Sequence, residues 1–591
     1  MGVSEGEDLF AAVTEVSLLE SLAETSGDGL TEGSLLFDGA AIQFASDSTN
    51  TLILTQAELD QLLGPNRVVI GSEDLSDIVY VGDESGSAIT LPGSTTVIQG
   101  DEVKIISPLV ADDLVIYGDG STVTVSADVT QSSSIFILDS IEIDGVRTLN
   151  SDAGITFTGP GTVDGNGAGV ADSLTLNAGG SVRIVGEIGG TDPLQNLTVD
   201  SDANVTFESD VTLDGNLTVS DATVLTFKGA VTISGNLDLS GVDTVIFEGP
   251  VNVTGTVTIN ASTAVTFQST VTTANTVTVT APNVTADLAF QTGGTYTVNA
   301  TGRINHGGSL TVTSGDLLAE ATTDLTFSGP FSIAGSATVE SAEITFNSST
   351  NVGSDYEATT TGRLLQTGIF SVGGNMQVVA DVSATFQNTA SVTGTASITS
   401  GEVEFGTAAT FGDTYTVVAT TLLHSGTLGV TSNDLDVTAS TSAFFSGAVN
   451  VALDVIIVAV ETTFATALTV GRDYAVTAST RLINGGQVSV GSNITIISDE
   501  VDLTGGTESV SAPGVLTILP YSDDLLIKIG TAATGDLSTL DLIDRDINAL
   551  KDGFDHIVIG RSTGDAGTVQ IDETLIQDDL AVFGELISVI G

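Results

Sequence analysis

The sequence predicts an all-β fold, a parallel β-solenoid (β-helix) with coils of about 20 residues and three short strands to a coil, bracketed by small helix-containing terminal modules. Three observations carry this. NLTVDSDANVTFESDVTLDG, NLTVSDATVLTFKGAVTISG and NLDLSGVDTVIFEGPVNVTG follow one another from residue 196, so the chain repeats itself every 20 residues. Within each row apolar and polar residues alternate, the period of a strand with one face buried. The 67 glycines, in a chain rich in Thr, Val, Ser and Asn, suit strands broken by tight turns better than helices.

Written in rows of twenty, Leu197, Leu217, Leu237, Val257 and Val277 fall in one column, with Val199, Val219, Leu239, Ile259 and Val279 two places on. A second column holds Val205, Leu225, Val245 and Val265 with Phe207, Phe227, Phe247 and Phe267, and a third holds Val211, Val231, Val251 and Val271. Leu217 and Val219, Leu225 and Phe227, and Val231 and Ile233 are expected to face inward, and Thr218, Thr226 and Thr232 outward. Tight corners lie at Lys228–Ala230 and Ser234–Asn236, where glycine is expected to supply unusual backbone angles, and a longer corner at Ser220–Val224. Like residues at a fixed interval stack best when each coil lies in register on the last. This favours parallel stacking over a hairpin meander and makes the four phenylalanines an interior ladder. A single coil buries too little apolar surface to offset the entropy of ordering its backbone, so coils stand only together.

The second half keeps the theme with a longer beat. GGTYTVNATGRINHGG, GSDYEATTTGRLLQTG, GDTYTVVATTLLHSG and GRDYAVTASTRLINGG place Tyr296, Tyr356, Tyr415 and Tyr474 at intervals of 60, 59 and 59 residues, three coils to a beat. Arg303, Arg363 and Arg481 each follow their tyrosine by seven, with Leu422 at that count in the third copy; they are expected to pair with neighbouring carboxylates rather than bind a ligand. His306 and His424 are expected at exposed corners, and with His556 they are too scattered for a metal centre.

Toward the C-terminus Leu537, Leu540, Ile543, Ile547 and Leu550 make a helical stripe, followed by Gly553 as a stop and Ile557–Ile559 as a strand. Near the N-terminus Leu54, Leu59, Leu62 and Leu63, then Gly64 and Pro65, then Val68–Ile70 repeat that grammar, and residues 9–22 suggest a further amphipathic helix. The expected organisation is an acidic segment over 1–50, a helix–strand junction over 51–73, the solenoid over 74–512 and a strand–helix–strand capping module over 513–591.

Asp and Glu total 75 against 13 Lys and Arg, a formal charge of −62 that argues against a grip on nucleic acid or anionic lipid and for cations as companions. The lack of cysteine removes disulfides, thiolate zinc sites and thiol nucleophiles. No apolar run approaches the roughly 18 to 20 residues of a membrane span, so no membrane insertion is expected. The acidic opening MGVSEGEDLF is unlike a signal peptide, and the chain reads as a piece of something longer.

GVLTILPYSDDLLIKIG with LSTLDLIDRDINALKDGFDHIVIGRSTGDAGTVQI resembles the unit that punctuates giant filamentous-haemagglutinin-like, β-strand-repeat surface proteins of bacteria. The likeness covers about the last 80 residues well, the central repeats in general character and the N-terminal echo loosely. It implies an exported, right-handed β-helical adhesin or filament protein at the cell surface, of which this chain is roughly one tandem unit. Cell-surface glycans or proteins, or copies of itself end to end, are the implied partners. The amino-terminal secretion domain of the full pattern is missing, which leaves the export route open, and no catalytic residues come with the resemblance.

The rival expectation is a polysaccharide-binding or polysaccharide-degrading enzyme, since right-handed β-helices also host pectate lyases and polygalacturonases. Such chemistry needs paired acids at a matched distance, or calcium-binding carboxylates with a base. Asp112 and Asp113 are adjacent and, as strand neighbours, face opposite ways, so no catalytic pair is assigned and no enzyme is expected. For Ca²⁺, Asp200, Asp202, Asp210 and Asp214 in one stretch and Asp164, Asn166 and Asp172 in another offer oxygen donors near turns, matching neither an EF-hand loop nor a nonapeptide repeat. Ca²⁺ held loosely at such corners is the one cofactor suggested, and none is required.

The outward threonines suggest a lattice for ice or glycan, but Asp238 interrupts the row of Thr218 and Thr258, and outward Thr is common in strands. Asn196 and Asn216, each in an Asn-Leu-Thr sequence, read as corner residues before glycosylation acceptors. The function expected is that of a structural and adhesive rod of about 25 coils at roughly 4.8 Å, on the order of 12 nm long, that spaces or presents binding surfaces.

Overall fold

A computed structural model describes residues 95–118, 122–159, 161–167, 171–530, 538–562 and 567–590, with shorter stretches between 33 and 91. The chain divides into two compact units, residues 1–288 and 289–591, each an all-β parallel solenoid. The expected helix over 9–22 and the stripe through Leu59, Leu62 and Leu63 lie outside the described residues.

In the first unit the rows of twenty are the hydrogen-bonded ladder itself. Leu197 pairs with Leu217, Leu217 with Leu237, Leu237 with Val257 and Val257 with Val277, all parallel. The columns through Phe207 and through Val211 stack in the same way. Alternation becomes burial: Leu217, Val219, Leu225, Phe227 and Val231 are fully buried, while Thr232 is exposed and Thr218 and Thr226 are half-buried. The Phe207, Phe227, Phe247 and Phe267 rings stack with centroids 4.9, 5.0 and 5.0 Å apart and planes within 7°. Rings attached to one ladder are translated copies of each other, so the strand spacing sets the stacking distance. A separate six-stranded parallel sheet runs from Leu52–Leu54 to Val163–Gly165, and the first described strands, Gly33–Asp38 and Ala41–Ser46, form an antiparallel hairpin.

Two expectations about the corners are corrected. Gly229 and Gly235 do not use the left-handed backbone region; the coil beneath is what demands glycine. A Cβ on Gly235 would stand 2.5 Å from the carbonyl oxygen of Gly215, and one on Gly229 would stand 2.3 Å from the carbonyl carbon of Ser209. Gly235→Val is therefore expected to push two coils apart and destabilise the chain by about 2 kcal/mol, read as a lowered urea midpoint. The longer corner is a bend in continuous strands, Val211–Phe227, Leu237–Phe247 and Val257–Phe267. It turns at a buried small residue, with Ala222, Val242 and Ala261 in register.

In the second unit the same architecture explains the longer beat. One interior column runs Tyr296, Leu317, Ala337, Tyr356, Met376, Ala396, Tyr415, Leu435, Val455, Tyr474. Another runs His306, Phe327, Phe346, Gln366, Phe386, Phe405, His424, Phe445, Phe464, Asn484. Every third coil thus places a buried tyrosine in one column and a buried polar side chain in a column otherwise made of phenylalanine.

This overturns the expectation that His306 and His424 sit at exposed corners, since both are 0% exposed. A flat imidazole takes the place of a phenyl ring, His306 stacking on Phe327 at 5.5 Å and His424 on Phe405 at 5.0 Å. One nitrogen of each ring finds an internal partner: the Tyr296 hydroxyl is hydrogen-bonded to His306 Nε2 at 3.1 Å, and His424 Nδ1 donates to the Gly426 carbonyl at 3.2 Å. Gln366 donates to the carbonyls of Ser348 and Gly368 and accepts from the Thr350 hydroxyl.

At the C-terminal end the expected helical stripe is split: Leu540 lies in a strand, while Ile543, Ile547 and Leu550 belong to a short helix and its two caps. Leu540–Leu542 pairs parallel with Ile527–Ile529, and the helix is only Asp544–Ala549. Leu540 fits the helical stripe but also, with Leu542, a two-residue alternation, and pairing with a neighbouring strand decides between them. Leu537 lies outside the described residues. Gly553 takes φ 126° but is not the helix stop, since the helix ends at Ala549 with Leu550 as its cap; His556–Ile559 pairs parallel with Val515–Ile518.

Candidate functional site

Corner oxygens accept hydrogen bonds from the coil that follows. Asn196, Asn216 and Asn236 accept the backbone N–H of Asn216, Asn236 and Thr256 at 3.1, 2.8 and 2.8 Å. In the second unit Asp316, Asp355, Asn375, Asp434, Asp454 and Asp473 do likewise. Asn216→Ala is expected to cost about 1 kcal/mol by equilibrium unfolding, the worth of one such bond.

The seven calcium candidates divide. Asp172, 4% exposed, accepts the Gly145 N–H at 2.7 Å through one oxygen and the Asn166 N–H at 2.9 Å through the other. The Asn166 amide donates to Asp144, and Asp164 accepts the Thr191 N–H at 3.2 Å. Asp210 accepts the Ala230 N–H at 2.6 Å, while Asp200, Asp202 and Asp214 are exposed. Asn166 and Asp172 are thus brought together by hydrogen bonding. Among the described residues no group of three or more His, Asp or Glu is placed to hold a metal ion.

The arginines pair across coils as expected: Arg303 with Asp324 at 3.4 Å, Arg363 with Glu343 at 3.5 Å and Arg481 with Asp502 at 2.5 Å. In the third copy the residue in their column is Thr421, which pairs with Glu402 on one side and Ser442 on the other. Leu422 is instead buried, because that corner is one residue shorter and the count slips.

A cluster of buried carboxylates near the C-terminal end has no counterpart among the residues singled out from the sequence. Glu500, Asp502, Asp541 and Asp546 are 4, 9, 1 and 2% exposed. Asp502 accepts from Arg481 Nε and from Arg545, both at 2.7 Å. Asp546 accepts the N–H groups of Leu503 at 2.8 Å and Ile543 at 3.1 Å, fastening the first turn of the helix to the strand Val501–Leu503. Its own carboxyl is raised by burial, against the pull of the Leu503 N–H and Arg545. The signal that could have found the cluster is a repeated triplet, Val-Asp-Leu at 501–503 and Leu-Asp-Leu at 540–542, where a strand buried on both faces carries its central aspartate on the face opposite its two apolar neighbours.

Burial, joined by the charges of Asp502 and Asp541, pushes the Glu500 carboxyl up to about 7 from 4.5. Its contribution to stability is fully present below about 4.5 and is lost as pH rises through about 7. The loss amounts to about 2 to 3 kcal/mol. Glu500→Gln is expected to melt higher than the parent chain at pH 8 and near it at pH 5. The arrangement favours the protonated form of Glu500 and anchors the short helix.

A groove of about 460 Å³ in the first unit is lined by Thr90, Val110, Asp112, Thr130, Ser132 and Asp152, among others. Asp112 accepts the Ser132 hydroxyl at 2.5 Å, while Asp113 accepts the Ser134 N–H at 3.1 Å, so the adjacent pair serves different partners. Comparisons with protein-family models, curated proteins and solved structures give no match for this chain.

Proposed function

We propose that the chain is a structural and adhesive β-solenoid, a repeat unit of a large filamentous-haemagglutinin-like bacterial surface protein, working outside the cell and without enzymatic activity. It spaces or presents binding surfaces to cell-surface glycans or proteins. The observation that carries this reading is the parallel coil-on-coil ladder within each unit, whose corners are short and whose corner carboxylates accept backbone N–H groups from the next coil. Such a ladder resists local opening, and a charge of −62 keeps like chains apart. A glycan array together with a reducing-end assay on a panel of polysaccharides tests it: binding without product is expected, and release of reducing ends would overturn it.

Ca²⁺ is held loosely at the acidic corners. Exhaustive chelation with EGTA is expected to leave the melting temperature unchanged, and a fall would assign a structural site instead. A polysaccharide-active second reading is favoured by the groove that Asp112, Ser132 and Asp152 line. In that case Asp112→Asn would abolish product release.

A further inference from the structure

The groove of about 460 Å³ in the first unit is built from successive coils. Thr90 pairs with Val110 and Val110 with Thr130, so these three exposed side chains form one column along it. Two places on, Asp112, Ser132 and Asp152 stand one above another at the corners, where the Ser132 N–H donates to the Ala111 carbonyl and the Asp152 N–H to the Gln131 carbonyl, each at 3.1 Å. In the coil after Asp152 the residue at this corner is Gly179, whose N–H donates to the Ser151 carbonyl at 2.8 Å, so no side chain continues the wall.

The polar groups of the groove are held in place by their neighbours. The Ser132 hydroxyl donates to Asp112 at 2.5 Å and fixes the orientation of that carboxylate. The Thr130 hydroxyl accepts from the Asn150 amide at 3.4 Å, and Asn150 in turn accepts from Asn177 at 2.8 Å. A hydroxyl that accepts in this way keeps its own proton for a further acceptor. Val110, 39% exposed, adds an apolar patch to the floor between Thr90 and Thr130.

A concave site of this volume, with a few converging polar groups around an apolar patch, has the form of a small-ligand site. Its carboxylates only accept, its hydroxyls both donate and accept, and among the described residues neither Lys nor Arg lines it. The ligand must therefore bring hydrogen-bond donors for Asp112 and Asp152, a C–H face for Val110 and no negative charge. A neutral sugar brings all three, since vicinal hydroxyls donate as a pair to one carboxylate while the ring carbons lie against the methyl groups. A cationic peptide also donates, but a chain of charge −62 offers carboxylates at corners in both units, so charge alone singles out no place. Asp112 and Asp152 stand two coils apart, on the order of 10 Å. In an extended β-1,4-linked pyranose chain, alternate sugars present the same edge at close to that interval. We propose that this groove binds a neutral, extended β-linked oligosaccharide lying across the coils. Asp112 and Asp152 accept hydroxyls from alternate sugars, and Val110 and Thr130 lie beneath the chain. The proposal rests on the scaffold reading and deepens it by naming the class of glycan and the place where it sits.

Isothermal titration of the full chain with cellotetraose, mannotetraose and chitotetraose is expected to show binding by at least one of them, equal at low and high salt because no ion pair carries it. Tetragalacturonate is expected not to bind. Asp112→Asn with Asp152→Asn is expected to weaken binding at least tenfold with the urea midpoint near that of the parent, both carboxylates being exposed, and Asp381→Asn, exposed in the second unit, is expected to leave binding intact. Amide hydrogen exchange with the sugar bound is expected to slow at residues 109–112 and 129–132, which locates the site even if the double variant folds poorly. No binding by any of the three sugars, binding that the double variant keeps, protection elsewhere, or protection by tetra-arginine in place of the sugars would overturn the proposal. Sugar binding that survives the double variant leaves the scaffold reading standing while this site falls, and release of reducing ends does the reverse.

Discussion

At pH 4 the second unit is expected to be about 3 kcal/mol less stable per buried histidine than at pH 7, and the double variant His306→Phe/His424→Phe is expected to escape that loss. Burial holds both imidazoles down to about 4 from 6.5, in the case of His424 against the hydrogen bond to Gly426. A lowered folded pKa means the fold prefers the neutral ring. That contribution is present above 6.5 and is lost as pH falls toward 4. Phenylalanine suits both positions, since Phe327 adjoins one and Phe405 and Phe445 flank the other in the same column. At pH 7 the Tyr296 and Gly426 bonds are lost at a cost of about 1 kcal/mol each, partly offset by removing the buried, unpartnered Nδ1 of His306 and Nε2 of His424. Glu500 titrates in the opposite sense, so the measurement is the difference between variant and parent in denaturant unfolding at each pH. Parallel pH profiles for the two chains would contradict the buried placement.

Phe227→Ala is expected to cost about 3 to 5 kcal/mol, whereas Thr232→Ala in the same coil should stay within about 0.5 kcal/mol. Phe227 is fully buried, with the Phe207 ring at 4.9 Å on one side and Phe247 at 5.0 Å on the other. The backbone ladder holds the coils at their spacing, so the space left by the ring cannot close by sliding them together, and the cavity persists. Each coil touches only its neighbours, so the loss should concentrate in adjacent coils. Urea unfolding gives the magnitude, and amide hydrogen exchange is expected to rise most at residues 205–207, 225–227 and 245–247. Equal effects from the two substitutions would mean that Phe227 does not lie in the interior.

Much of the architecture was legible because strand alternation and constant coil length are both written into the rows. Leu217 finds Leu237, and Phe227 finds Phe247, by counting alone. The 60-residue beat was equally visible at Tyr296 and Tyr356, but its meaning was not. His306, Gln366, His424 and Asn484 follow their tyrosines by ten or nine residues, and a polar side chain near a corner reads as solvent-facing until the column of rings around it is seen. The Glu500 cluster was hidden for a different reason, since Asp502 and Asp546 stand 44 residues apart and meet only through the packing of the terminal helix on the solenoid.

What the sequence by itself determined is the period, and with it which residues lie above which, because identical side chains at equal intervals stack at lowest cost in register. What only the tertiary structure decided is the identity of the corners and the interior polar tiers. Glycine at Gly235, the bend at Ala222 and the burial of His306 each depend on the coil beneath. That contact joins residues about twenty apart in the chain, and the local alternation of a three-residue strand does not extend across the corners between them.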